Sequence, residues 1–201
     1  MRMQFSRHLL STSVLLAMLA NACLANSQQE PLLHALRSGN AAAVASALEQ
    51  GADPNRLLPD GSTPLAWAVE VQDRAMVSLL LAAGGDPNAA TNPATSPLIV
   101  GCQYGDPVVL EQLLMAGALV NAVLDEGLTP LHICAGHAPA SILETMIAAG
   151  AEVDRADSHG QTPLMQAAAN GQVDNIALLL AHGAAVNHVT ANGLYDSGRS
   201  A

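Results

Sequence analysis

Apolar residues recur along this chain at a fixed phase rather than in one block. Val44, Val77, Leu110, Leu143 and Ile176 stand 33 residues apart. Pro31, Pro64, Pro97, Pro130 and Pro163 keep the same step, as do Gly51, Gly84, Gly117, Gly150 and Gly183. So do the polar positions Asn55, Asn88, Asn121, Asp154 and Asn187. Several columns sharing one period establish an internal repeat, and a period of this size points to a stacked array of supersecondary units. Within a unit the second apolar stripe runs Val77, Leu80, Leu81, or Leu110, Leu113, Leu114, or Ile176, Leu179, Leu180. That i, i+3, i+4 spacing marks one face of a helix.

Each column has a physical task. Gly61-Ser62-Thr63-Pro64-Leu65, Gly127-Leu128-Thr129-Pro130-Leu131 and Gly160-Gln161-Thr162-Pro163-Leu164 each read as a helix start. The threonine caps free backbone N–H groups, and proline suits the first turn, where its missing N–H costs nothing. Leucine begins the buried stripe, and small residues such as Ala167 and Ala168 let neighbouring helices approach. The periodic glycine ends the second helix at positive φ. A segment such as Ala52-Asp53-Pro54-Asn55 then makes a turn, with Asp53 and Asp86 read as turn formers rather than acids of a reaction.

Composition supports a helical array. The 201 residues are 50% hydrophobic but only 2% aromatic, so the core must be built from Ala, Leu, Val, Ile and Met. Trp67, at an inward helix position, is assigned to that core.

These motifs resemble the ankyrin repeat: Thr-Pro-Leu-His, a small pair, a Leu-Leu pair, then Gly-Ala-Asp-x-Asn. Thr129-Pro130-Leu131-His132 matches the hallmark tetrapeptide in full. The resemblance implies an all-α ankyrin-repeat solenoid of about five 33-residue helix-turn-helix repeats with β-hairpin fingers. The repeats are placed at 26–55, an N-terminal cap, then 56–88, 89–121, 122–154 and 155–187. The tail 188–201 starts a further finger at Ala191-Asn192-Gly193-Leu194. No helical pair follows to cover the last repeat, so its end face is expected to be exposed. Two departures from the pattern predict local irregularity. Ala94 and Ser96 replace glycine and threonine in the third finger, and Gly136-His137-Ala138-Pro139 joins the helices of the fourth repeat.

Residues 1–25 read differently. Arg2, Arg7 and His8 precede an apolar run at 14–20 (VLLAMLA) and the small residues Ala20-Asn21-Ala22 and Cys23-Leu24-Ala25. Basic, apolar and small segments in that order are those of an export signal, and the run is too short for a membrane-spanning helix. Export of a bacterial type, to the periplasm or beyond, is the expectation, with no transmembrane anchor after cleavage. Lipidation at Cys23 stays open as the alternative. A mature chain would keep Cys102 and Cys134. The register puts them on inner helices of adjacent repeats, and a usual helix separation of about 8–10 Å exceeds what a disulfide tolerates. Buried free thiols are therefore expected, with pairing in an oxidising compartment left open as the alternative.

Charge narrows the partners. The chain carries 17 acids and seven basic residues, all arginine, for −10. Without Arg2 and Arg7, five arginines face 17 acids, or −12. Nucleic acid and anionic membrane surfaces are disfavoured, because a phosphate backbone needs neutralising cations. A protein with a basic patch would be steered toward this surface.

No catalytic constellation stands out, neither a nucleophile elbow, nor a phosphate-binding loop, nor H-E-x-x-H. His132 and His137 are five apart, a poor same-face spacing, and His182 and His188 straddle a turn, so no metal or cofactor site is expected. His132 takes the structural role that the resemblance implies.

The resemblance places a partner on a concave face built from finger tips and exposed ends of the first helices. Carried over, the second repeat presents Pro59, Asp60, Ser62, Glu70 and Val71. The third presents Asn92, Pro93, Thr95, Gln103 and Tyr104. The fourth presents Asp125, Glu126, Leu128 and His137, and the fifth Ser158, His159, Gln161 and Asn170. These positions vary between repeats while the core columns do not. Tyr104 is the leading anchor, since tyrosine is enriched at interface hot spots. Asp125 and Glu126 are candidates for contact with a partner's Arg or Lys. The expected function is a non-catalytic binding module of the cell envelope. The alternative is an immunity-type inhibitor that occludes an exported toxin or enzyme.

Overall fold

A computed structural model describes residues 30–188. The segment 1–25 read as an export signal, the residues 26–29 expected in the cap and the tail beyond His188 lie outside the described residues. Helical pairs follow one another: α1 (30–37) with α2 (Ala41–Glu49), and α3 (Pro64–Glu70) with α4 (Arg74–Ala82). Next come α5 (Pro97–Tyr104) with α6 (Pro107–Met115), and α7 (Pro130–His137) with α8 (Ala140–Ala148). The last pair is α9 (Pro163–Ala169) with α10 (Val173–Ala181). The first helices pack in one row, α3 on α5, α5 on α7 and α7 on α9. The second helices pack in another, α2 on α4 through to α8 on α10. This two-layer stack is the expected all-α solenoid.

The repeating columns become its core. Leu32, Leu65, Leu98 and Leu131 are fully buried, as are Val44, Val77, Leu110 and Leu143. The terminating glycines all have φ near +90°, from 87° at Gly84 to 93° at Gly51. The asparagine column staples successive repeats through backbone groups about 30 residues on. Asn55 Nδ2 donates to Gly84 O at 3.0 Å while its Oδ1 accepts from Asp86 N at 2.7 Å. Asn88 and Asn121 repeat this pairing one and two units later. Asp154 keeps only the acceptor half, taking Ala185 N–H at 3.0 Å.

Caps are unevenly spread. Thr63 Oγ1 accepts from Ala66 N at 3.1 Å, and Asn40, Asp73 and Asp106 cap α2, α4 and α6 with their side chains. Ser96, Pro139 and Gln172 provide no side-chain cap to α5, α8 and α10.

Three expectations are refined or corrected. The fingers are closed like hairpins, with Leu58 N–H donating to Ser62 O at 2.8 Å and Leu124 N–H to Leu128 O at 2.8 Å. So few cross-bonds leave no strand among the described residues. The third finger is irregular as expected, with a 3-10 turn at Pro93–Thr95. Trp67 packs against the core but is only half-buried.

The cysteines are the correction: Cys102 and Cys134 are joined in a disulfide, not free. Their Cα atoms are 4.6 Å apart, far closer than ordinary helix packing allows. The facing columns hold Ala68, Gly101 and Ala135, whose small side chains let the inner helices come closer than usual. At the equivalent place one repeat earlier, a Cβ on Gly101 would sit 3.6 Å from Val69 Cγ1. The small-residue columns were legible, but their effect on helix separation was underestimated.

Candidate functional site

The face built by the finger tips and the ends of α3, α5, α7 and α9 follows from the register. Columns that end the inner helices cannot point into the stack, because the next turn leads away to the outer layer. Glu70, Gln103, Tyr104, His137 and Asn170 are accordingly exposed. At the tips Asp60, Asp125, Glu126 and His159 are exposed, while Leu128 is half-buried. Tyr104 keeps 48% of its surface in solvent and Val71, one repeat before it in the same column, 49%. Together they form an apolar centre that no neighbouring repeat covers.

Several of these residues are already committed within the fold. Asp60 Oδ1 accepts from Ser62 Oγ at 2.7 Å and from Ser62 N at 2.9 Å. Those bonds hold its carboxyl below the usual carboxylate range. It therefore stays an anion while shaping its own turn. Asn170 lies over Gly136, where a Cβ would meet its Nδ2 at 2.8 Å, and donates to Gln166 O at 2.9 Å. His137 Nδ1 lies 3.1 Å from Ile133 O.

The tips of the fourth and fifth fingers are joined. Ser158 N–H donates to Glu126 O at 2.7 Å, and Glu126 takes a left-handed conformation with φ 63°. Its Oε2 lies 4.0 Å from His159 Nδ1, which is also 4.0 Å from Asp157 Oδ2. The second and third fingers meet through Thr91 Oγ1, which donates to Gly61 O at 3.0 Å. The tips thus form linked pairs rather than independent loops.

Electrostatically the face is acidic. Glu70, Asp60, Asp125 and Glu126 carry its negative charge, against Arg37 in the Glu70 column one repeat earlier, whose charge reaches Asp60. Two of the arginines are engaged elsewhere: Arg74 with Asp106 at 2.8 Å and Arg155 with Glu152 at 3.1 Å. Arg74 and the N–H groups of Val108 and Val109 outweigh the opposing effect of burial at Asp106 and keep its carboxyl low.

The hallmark histidine is structural. His132 is 1% exposed. Its Nε2 lies 3.1 Å from Gln161 O, a pure acceptor, so Nε2 carries the proton. Nδ1 then accepts from Thr129 N at 3.1 Å. Burial pushes its pKa below the ordinary histidine value. Among the described residues no group of three or more His, Cys, Asp or Glu converges as a metal site would require. No described helix is long and apolar enough to cross a membrane.

Comparison with protein families is decisive. The family model for ankyrin repeats matches residues 7–91 and 98–190. The chain belongs to the ankyrin-repeat family. It is a non-catalytic module, and the family's repeats imply a protein partner. The matched range begins inside the segment read as an export signal, which lies outside the described residues. Comparison with curated proteins finds no match.

The ankyrin array also exposes residues that the sequence reading passed over. Met115 is 89% exposed and Leu119 61% exposed. Their columns hold small or acidic residues elsewhere: Ala82, Ala148 and Ala181 for the first, Asp53, Asp86 and Glu152 for the second. Leu119 borders an apolar cleft of about 180 Å³ with Ala90, Pro93, Leu98 and Ala122, opened by the irregular third finger. Comparing columns would have revealed both. Asn175 was missed in the same way. It occupies a column otherwise filled by Met76, Val109 and Ile142, and it is 2% exposed.

Proposed function

We propose that this ankyrin array is an exported bacterial binding module that holds a protein with a basic patch across its concave face. The observation that carries this reading is the exposed row of Val71 and Tyr104 set among Glu70, Asp60, Asp125 and Glu126. An apolar anchor ringed by fixed charge is the arrangement that gives an interface both affinity and orientation. The basic, apolar and small segments of residues 1–25 support the cell envelope as the site of action. A disulfide between Cys102 and Cys134 is in keeping with an oxidising compartment. Lipid attachment at Cys23 is the alternative to a free periplasmic chain.

The test is affinity capture from native cell envelopes, comparing the wild-type chain with a Tyr104→Ala/Asp125→Ala/Glu126→Ala variant. The reading expects one envelope protein with a basic surface, captured by the wild type, lost from the variant and released by salt. Equal capture by both would move the interface off this face. Strong acidity also suits an inhibitor of a cationic toxin or enzyme. Stoichiometric inhibition of the captured protein's activity would favour that version over a scaffold.

A further inference from the structure

We propose that the Cys102–Cys134 disulfide is a redox-controlled joint. Oxidised, it makes the array unfold as one unit; reduced, repeats four and five open separately from repeats one to three.

The bridge sits where the repeat pattern is weakest. On one side, α5 starts at Ser96 without a side-chain cap, behind the irregular third finger. On the other, Ala138 takes φ −87° and ψ 156° instead of the left-handed turn seen at Gly39, Gly105 and Gly171 in its column. The equivalent positions at other junctions hold Leu36 with Ala68, Val69 with Gly101, and Ala135 with Ala167. Those pairs offer van der Waals contact alone. Among the described residues, only the junction between repeats three and four is joined covalently.

The two halves also differ in what holds them. Repeats one and two have side-chain caps on α2, α3 and α4. In repeats four and five the first helices are capped, α7 by the Thr129–His132 capping box and α9 by Thr162, but the second helices α8 and α10 have no side-chain cap. Repeat five leaves Val186 72% exposed and Leu180 41% exposed, whereas Val120, two repeats earlier in the Val186 column, is 8% exposed. Yet repeats four and five are tied to each other. Asn175 Nδ2 donates to Ala135 O at 2.9 Å and Ala138 O at 2.8 Å, and Gln172 Nε2 donates to Gly136 O at 3.1 Å. In a linear array, stability is a sum of repeat and junction contributions. A weak pair of repeats bound to each other and bridged to a stronger set parts at the bridge.

Both sulfurs are fully buried, so a reductant reaches them only when the junction opens. A dithiol then attacks one sulfur. The S–S bond breaks, two electrons and two protons pass to the cysteines, and the reductant leaves as its own disulfide. The reduced junction can close again, because Pro130 O lies 3.6 Å from Cys102 Sγ and would accept from the new thiol. The joint is closed where thiols are oxidised and released where dithiols are supplied. Its consequence for binding rests on the concave-face reading, because α5 and α7 carry Gln103, Tyr104 and His137; the joint itself does not.

Trp67, the sole tryptophan, reports on repeat two, whereas far-UV circular dichroism reports on the whole array. Urea unfolding of the full chain is followed by both signals, with and without a dithiol. A Cys102→Ala/Cys134→Ala variant serves as the unbridged control. The oxidised chain is expected to show coincident transitions. With dithiol, helical signal should fall before Trp67 responds, and the variant should behave like the reduced wild type in either buffer. Hydrogen exchange should show amides of α7–α10 losing at least tenfold more protection on reduction than those of α2–α4. Coincident transitions after reduction, whether native or early and global, would overturn the joint, as would equal loss of protection in both halves. Because no partner is used, this result is independent of whether the concave face binds one.

Discussion

Repeats two and four are built from the same columns but turn between their helices in opposite ways. In repeat two the turn residue is Gln72, held at φ 57°. In repeat four it is Ala138, extended because Pro139 follows; a residue before proline is forced away from helical conformations. The first solution leaves the turn self-contained, with Asp73 capping α4. The second leaves carbonyls at Ala135, Gly136 and Ala138 that only side chains from the next repeat reach. Regularity in this array is local where the turn column permits a left-handed residue. Where it does not, regularity is supplied by long-range polar contacts.

The sharpest way to break that comparison is Asn175→Ile. Isoleucine matches the apolar residues of the column and would be expected to stabilise if burial alone mattered. It leaves two buried carbonyls without partners, at a cost of about 1–3 kcal/mol each in the limit. The expected outcome is a loss of about 2–3 kcal/mol in urea unfolding. Combining it with Ala138→Gly/Pro139→Asp, which restores the turn of repeats one and three, should recover part of the loss. A strictly additive result would show that the asparagine does not act through the turn.

His132 gives the next contrast, because repeats two and three carry Ala66 and Ile99 in its column and nothing equivalent to its imidazole pairing. Its folded-state pKa lies below the ordinary value because of burial, so the unfolded chain binds the proton first as pH falls. Its contribution is complete above about pH 6.5, the unfolded value, and is lost as pH drops from there toward the folded pKa. Protonating Nδ1 would also remove the acceptor for Thr129 N–H. Stability measured between neutral and mildly acidic pH should decline in the wild type. The decline should be shallower in His132→Ala, which will itself be less stable at neutral pH. Parallel profiles would place the acid sensitivity in the carboxylates instead.

Much of this was legible in the sequence, because a repeat supplies its own alignment. The threonine caps, the glycine stops, the helix pairs and both irregular segments follow from columns read side by side. What escaped were consequences that depend on distance. The disulfide was missed since an average helix separation was applied to columns of alanine and glycine. Asn175 was visible as a polar residue in an apolar column, but its carbonyl partners exist only after Pro139 has bent the preceding repeat. For the site, exposure was readable at nearly every position. The capture of Asp60 by its own turn and the Glu126–Ser158 link between tips depend on loop geometry that spacing does not encode.

The smallest expected effect concerns Gln72 itself. Its column holds glycine in repeats one, three and five, and all three have positive φ. A side chain in the left-handed region costs about 1–2 kcal/mol. Replacing it with glycine removes that strain but returns about 0.4–1 kcal/mol through the freer unfolded chain. Gln72→Gly should therefore stabilise the array by about 0.5 kcal/mol, seen as a higher urea midpoint with an unchanged slope. The contrast with Gly105 explains why repeat three does not tolerate a side chain here. A Cβ on Gly105 would lie 2.5 Å from His137 O, since the extended turn at Ala138 brings that backbone close. No such backbone approach is imposed on Gln72, because Gly105 permits repeat three to turn in the regular way. If Gln72→Gly destabilises instead, the glutamine side chain makes a contact worth more than its strain, and the turn of repeat two is not self-contained.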